Sequence, residues 1–105
     1  MTTEDMISIF IEKGTWAYKK LNKDTKEGMR LYMHEPVEIE GHTFTCFREY
    51  ATYKMGVFLT ENLPEANVTV TLDGKDSTIE IEVSDEEQQE INRKMYRFLK
   101  EWNFV

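Results

Sequence analysis

The residues best suited to chemistry in this 105-residue chain are one cysteine, two histidines and several closely spaced carboxylates. Cys46 with His34 or His42 has the residue types of a thiolate–imidazole pair. Such a pair needs a base within reach and a partly exposed, electropositive pocket. Read as a strand, the segment around Cys46 instead puts it beside Phe44 on an apolar face, the place of an inert core cysteine. One cysteine and two histidines also lack the paired ligand spacing of structural zinc. Glu38/Glu40 and Glu80/Glu82 stand at i, i+2, which places each pair on the solvent face of a predicted strand. Acid–base work by two carboxylates needs a low-dielectric cleft that splits their pKa values, and a solvated face supplies none. The run Asp73-Gly74-Lys75-Asp76 has the composition of a calcium loop without the rest of its ligand pattern. No phosphate-cradling glycine loop, nucleophile elbow or H-E-x-x-H occurs. The expectation is a protein that is not an enzyme, with no catalytic residue, no cofactor and no metal.

Charge distribution is the stronger signal. Residues 61–90 hold ten acids, Glu61, Glu65, Asp73, Asp76, Glu80, Glu82, Asp85, Glu86, Glu87 and Glu90, against the single base Lys75, a net of −9. The whole chain is −7, so the remainder carries about +2. A field this lopsided steers basic partners and repels nucleic acid. Arg93, Lys94, Arg97 and Lys100 would offer phosphate a short stripe, but their position near a helix C-terminus is equally explained by the helix dipole.

Composition limits the class. Hydrophobic residues at 40% and charged residues at 31% are the balance of a globular domain rather than a disordered chain, and the length predicts one domain over 1–105. A lone cysteine predicts a reducing compartment. The opening MTTEDMISIF has early acids and no basic stretch, unlike a secretory signal, and no unbroken apolar run exceeds three residues. These features predict a cytoplasmic protein that is not membrane-bound. They also make the sequon Asn67-Val68-Thr69 a coincidence.

The elements that would position these side chains follow from periodicity. Residues 4–21 read as a helix capped by Thr3, with Met6, Ile7, Phe10, Ile11, Gly14, Ala17, Tyr18 and Leu21 on one face and Trp16 at its edge. Residues 22–28 read as a loop, and the alternation of Met29, Leu31 and Met33 as a strand. Residues 37–40 and 43–46 form a hairpin across Gly41-His42, which pairs Ile39 with Phe44 and Val37 with Cys46. Thr52 to Thr60 reads as another strand, with Gly56 at a bulge or close approach. In a second hairpin Val68, Val70 and Leu72 share a face with Ile79, Ile81 and Val83 across the loop 73–76. A helix over 85–102, opened by an S-x-x-E box of Ser84 and Glu87, presents Ile91, Met95, Phe98, Leu99 and Trp102 on one side.

The predicted fold class is therefore α+β with two layers. An antiparallel meander of four to five strands is flanked by N- and C-terminal helices packed on one face, in the order α-β-β-β-β-α. The other sheet face would be open and acidic. Phe47 falls on its outward parity, among carboxylates, where an aromatic would anchor a partner, although packing under the 48–55 connection is the slightly favoured alternative. The candidate partner-binding residues are Glu38, Glu40, Phe47, Asp73, Asp76, Glu80, Glu82, Asp85, Glu86, Glu87 and Glu90. The expected partner is a protein with a basic surface, engaged by a regulator or inhibitor of a nucleic-acid-acting protein. In size and acidity the chain resembles phage- and mobile-element-borne inhibitors of host defence or transcription machinery, a resemblance of composition that no motif carries. The alternative is a structural subunit forming a homodimer through a sheet edge and the aromatics Phe47, Tyr50, Tyr53, Phe58 and Phe104.

Overall fold

A computed structural model describes residues 2–64 and 66–104. Among the described residues the fold is α+β, with four helices and two separate two-stranded antiparallel sheets. No four- or five-stranded meander forms among those residues, which corrects the expected sheet.

Helix α1 spans Thr3–Leu21. Its N-cap is Thr2 rather than Thr3: the Thr2 hydroxyl accepts from the Asp5 N–H, and the Asp5 carboxylate accepts from the Thr2 N–H. Thr3 is freed from capping and buried, where its hydroxyl donates to Asn92 Oδ1 at 2.6 Å and ties the first helix to the last. The predicted apolar face is buried from Met6 to Gly14. Leu21, at its end, is exposed.

The alternating 29–34 segment is not a strand. Helix α2 spans Lys26–Tyr32. Thr25 caps it by accepting from the Gly28 N–H at 2.9 Å, and it closes with a Schellman turn: His34 at φ 60°, Glu35 N–H donating to Arg30 O, and His34 N–H donating to Leu31 O. Of the three alternating residues only Leu31 is buried, so the period-2 pattern has no buried face behind it.

The first hairpin pairs β1, Val37–Ile39, with β2, His42–Phe44. Its turn is Glu40-Gly41 rather than Gly41-His42, with positive φ at both residues (54° and 81°). Two central residues at positive φ are the signature of a I′-type turn, whose twist matches that of the flanking strands. The register moves by two, so Val37 faces Phe44 and Ile39 faces His42. A two-residue shift preserves the faces, and Val37 and Phe44 are still buried.

The largest correction is helix α3, Phe47–Asn62, where a strand was expected over 52–60. Phe47, Ala51, Met55 and Leu59 are buried at i, i+4 spacing, with Thr52 and Gly56 beside them. Glu49 fixes the start. Its buried carboxylate accepts from the Thr45 N–H at 2.6 Å and from the Thr45 hydroxyl, while the N-cap Cys46 contributes no side-chain bond. Gly56 marks a close approach rather than a bulge, because a Cβ there would lie 2.5 Å from Val70 Cγ2.

The second hairpin forms as expected. Strand β3, Asn67–Thr71, pairs with β4, Thr78–Glu82, placing Val68 opposite Ile81 and Val70 opposite Ile79. A 3-10 turn at Gly74–Asp76 connects them. Helix α4, Asp85–Glu101, has the predicted Ser84–Glu87 capping box and ends in a Schellman turn with Asn103 at φ 58° and Phe104 N–H donating to Leu99 O.

The core has two parts. The larger joins α1, α3 and α4 through Phe10, Ile11, Met55, Leu59, Ile91, Met95 and Leu99, with the β3–β4 hairpin packed against it. The smaller collects Leu31, Val37, Phe44 and Phe47, with Tyr18, Tyr50 and Tyr53 around them. Phe104 turns back into the larger core. Tyr50, Tyr53, Phe58 and Phe104 thus pack in or against the two cores, and Phe47 is buried instead of outward-facing.

Burial of Tyr18, reinforced by the neighbouring Tyr50, raises its pKa. Partial burial opposes the charged form of Lys54, but its hydrogen bond to Glu40 and the field of Tyr50 win and raise its pKa as well. Both groups give up their proton more readily in the unfolded chain, so both contributions are intact below about pH 10 and lost as pH rises above it. Urea unfolding at about pH 9 and about pH 11 is expected to show lower stability at the higher value, with a smaller loss in Tyr18→Phe. An identical loss in both proteins would contradict the assignment.

Candidate functional site

The predicted site residues separate into three places. Glu80 and Glu82 project from the exposed side of β4, and Asp85, Glu86, Glu87 and Glu90 follow on the first turns of α4. Chain continuity keeps these six carboxylates together. Asp73 and Asp76 sit exposed at the far end of the same hairpin. Glu38 and Glu40 belong to the other sheet, so the single acidic sheet face expected from the sequence is not built. Phe47 leaves the set altogether, since it is 5% exposed inside the smaller core. Glu65 lies outside the described residues.

The carboxylates also differ in what already holds them. Glu87 accepts from the Ser84 N–H at 3.3 Å, which commits it to the helix cap. Glu90 pairs with Lys94 at 3.4 Å and Glu40 with Lys54 at 3.2 Å. Exposed pairs of this kind contribute about 0–1 kcal/mol. Among the described residues, Glu80, Glu82, Asp85 and Glu86 make no ion pair. They form the free part of the acidic surface.

Cys46 is buried at the start of α3. It lines a cleft of about 170 Å³ with His34, but no hydrogen bond joins the two among the described residues. Among those residues no group of three His, Cys, Asp or Glu side chains could hold a metal ion, and no helix is long and apolar enough to cross a membrane.

Two features were not anticipated. A cleft of about 460 Å³ between α1 and β4 is lined in part by Glu4, Glu12, Glu80 and Arg48, and the Arg48 Nε is buried without a hydrogen-bond partner among the described residues. A larger groove of about 740 Å³ opens between the C-terminal half of α1 and α2. Gly28 and Phe47 lie at its base, while Trp16, Met29, Tyr32 and Met33 form walls that are 57–66% exposed. Lys19, Lys20 and Lys23 ring it. The Lys19 ammonium sits 4.7 Å from the Tyr32 ring centroid and that of Lys20 5.2 Å from Trp16, so cation–π contacts hold both at the rim.

The sequence did carry a trace of this groove. Trp16, Lys19, Lys20 and Lys23 recur at i, i+3, i+4 and i+7, and residues 13–30 hold six bases against two acids. The other wall follows no such spacing, because the alternation over 29–34 has the period of a strand while the segment is helical to Tyr32. Comparison with protein-family models, curated proteins and solved structures finds no match to this chain.

Proposed function

We propose that this protein is a non-enzymatic protein-interaction module, a regulator or inhibitor that docks its acidic surface onto a basic region of a nucleic-acid-acting protein. The observation that carries this reading is the contiguous carboxylate run from β4 into α4, in which Glu80, Glu82, Asp85 and Glu86 stand in solvent without an ion-pairing partner among the described residues. A groove evolved for phosphates accepts carboxylates presented on a rigid strand and helix, and complementary fields give such a pair a fast, salt-sensitive association. The capping box supports the rigidity, since Ser84 and Glu87 fix the angle at which the strand passes into the helix.

The test is affinity capture from cell lysate at low and moderate salt, using wild type and the variant Glu80→Gln, Glu82→Gln, Asp85→Asn, Glu86→Gln. Glu87 is retained because it closes the cap. The expected result is a basic, nucleic-acid-acting protein held by wild type and released by the variant or by salt. Equal capture by both proteins would remove the reading.

A further inference from the structure

We propose that the lysine-rimmed groove between α1 and α2 is a second docking site, one that takes an acidic amphipathic helix from a partner protein. The site is separate from the carboxylate surface and opposite to it in charge.

Three observations support the assignment. Trp16, Met29, Tyr32 and Met33 leave four large apolar side chains more than half exposed around one concavity. A contiguous apolar patch rimmed by polar groups is the mark of an interaction surface, and methionine side chains adapt readily to a partner's shape. The concavity of about 740 Å³ suits the apolar anchors of a helix at i, i+3 or i+4, and i+7.

The rim then selects the partner's charge. Lys19, Lys20 and Lys23 make no ion pair among the described residues, although the chain has 20 acids to 13 bases. Their charge is left for a ligand, and carboxylates flanking an apolar stripe complement it. Other occupants fit less well. A second copy seated symmetrically would bring three lysines against three lysines. An anionic membrane presents a broad plane to what is a bounded concavity, and a nucleic acid strand could stack on Trp16 and Tyr32 but would leave Met29 and Met33 without an apolar partner.

The experiment titrates the full chain, labelled for NMR, with a synthetic amphipathic helix of about 15 residues bearing leucine anchors and glutamate flanks. A twin peptide carries lysine in place of glutamate. Anionic phosphatidylserine vesicles, a single-stranded oligonucleotide and a dilution series of the protein alone complete the set. The expected result is saturable binding of the acidic peptide, with shifts centred on the Trp16 indole and Gly28, at roughly tenfold higher affinity than the lysine twin. The variant Lys19→Glu, Lys20→Glu, Lys23→Glu should reverse the preference. Met29→Ser with Met33→Ser should weaken both peptides while leaving the melting curve near that of wild type. The wild-type shift map stands without any variant. No binding of the acidic peptide, equal affinity for the two peptides, tighter binding of vesicles or oligonucleotide, or self-association through the groove residues would each overturn the proposal. None of these outcomes bears on the carboxylate surface, whose own test uses different residues.

Discussion

Phe47→Ala is expected to destabilise the protein by about 3–5 kcal/mol. The ring is 5% exposed and packs with Leu31, Val37 and Phe44 in the smaller core. Truncation removes its transfer free energy and leaves a cavity beneath α2 and the first hairpin, which have few other buried side chains to close it. For a domain of this size the melting temperature should fall by on the order of 15 °C. Thermal unfolding of wild type and variant by circular dichroism measures it. The outcome separates two accounts of the residue. As an exposed anchor among carboxylates, Phe47 would weaken partner capture and leave the melt almost unchanged. As the buried residue seen here, it lowers the melt first and disturbs the base of the apolar groove along with it. A loss of less than about 1 kcal/mol would show that the first turn of α3 does not pack as described.

Gly28→Ala is the second large effect, and its sign runs against helix propensity. In an exposed helix interior the change is favourable by about 0.5–1 kcal/mol. At Gly28 the new Cβ would lie 1.7 Å from Asn22 O and 2.6 Å from Asn22 C, both backbone atoms, and 2.8 Å from Thr25 Oγ1. Backbone cannot swing aside as a side chain can, so the turn from α1 into α2 must open or the Thr25 cap must break. A loss of about 3 kcal/mol or the melting of α2 is expected. Gly14→Ala supplies the control of opposite sign. Its Cβ would meet Phe10 and Ala51 at 3.6 and 3.8 Å, ordinary contact distances, so propensity should prevail and stability rise by about 0.5–1 kcal/mol. Denaturant unfolding of both variants tests the pair. A neutral Gly28→Ala would mean that the α1–α2 connection is looser than the geometry shows.

The acidic surface and the groove divide the molecule's charge. The carboxylates of the proposed acidic surface lie on β4 and α4, whereas the lysines of the groove rim lie on α1 and the connection to α2. A chain that is −7 overall thus keeps a local cationic rim around four of its exposed apolar side chains. Acidic and basic partners would address different faces, and each set of substitutions can be made without touching the other.

The elements legible in the sequence are those whose signal is local. The faces of α1 and α4, the Ser84–Glu87 cap and the alternation of the second hairpin all depend on residues within a few positions of one another, and all appear in the structure. The position of the acidic run was equally plain, because charge is read from composition. Helix α3 was not legible. It packs against α1, β2, β3 and β4, so its buried surface wraps too far round to leave one apolar stripe, and Thr52 and Gly56 occupy positions that an amphipathic pattern would give to larger side chains. Its tyrosines, threonines and Val57 favour a strand locally, and contacts from the rest of the chain override that preference. The burial of Phe47 follows from the same change, since a residue that opens a helix obeys no strand parity. The groove depended on both α1 and α2. Its lysines and Trp16 share a readable spacing, but Met29, Tyr32 and Met33 reach them only once Thr25 caps a helix and Gly28 allows the turn behind it. The sequence by itself determined the terminal helices, the second hairpin and the place of the negative charge, since each rests on short-range periodicity or composition. Only the tertiary structure decided the central helix, the separation of the two hairpins and the basic apolar groove, because each arises where segments distant in sequence meet.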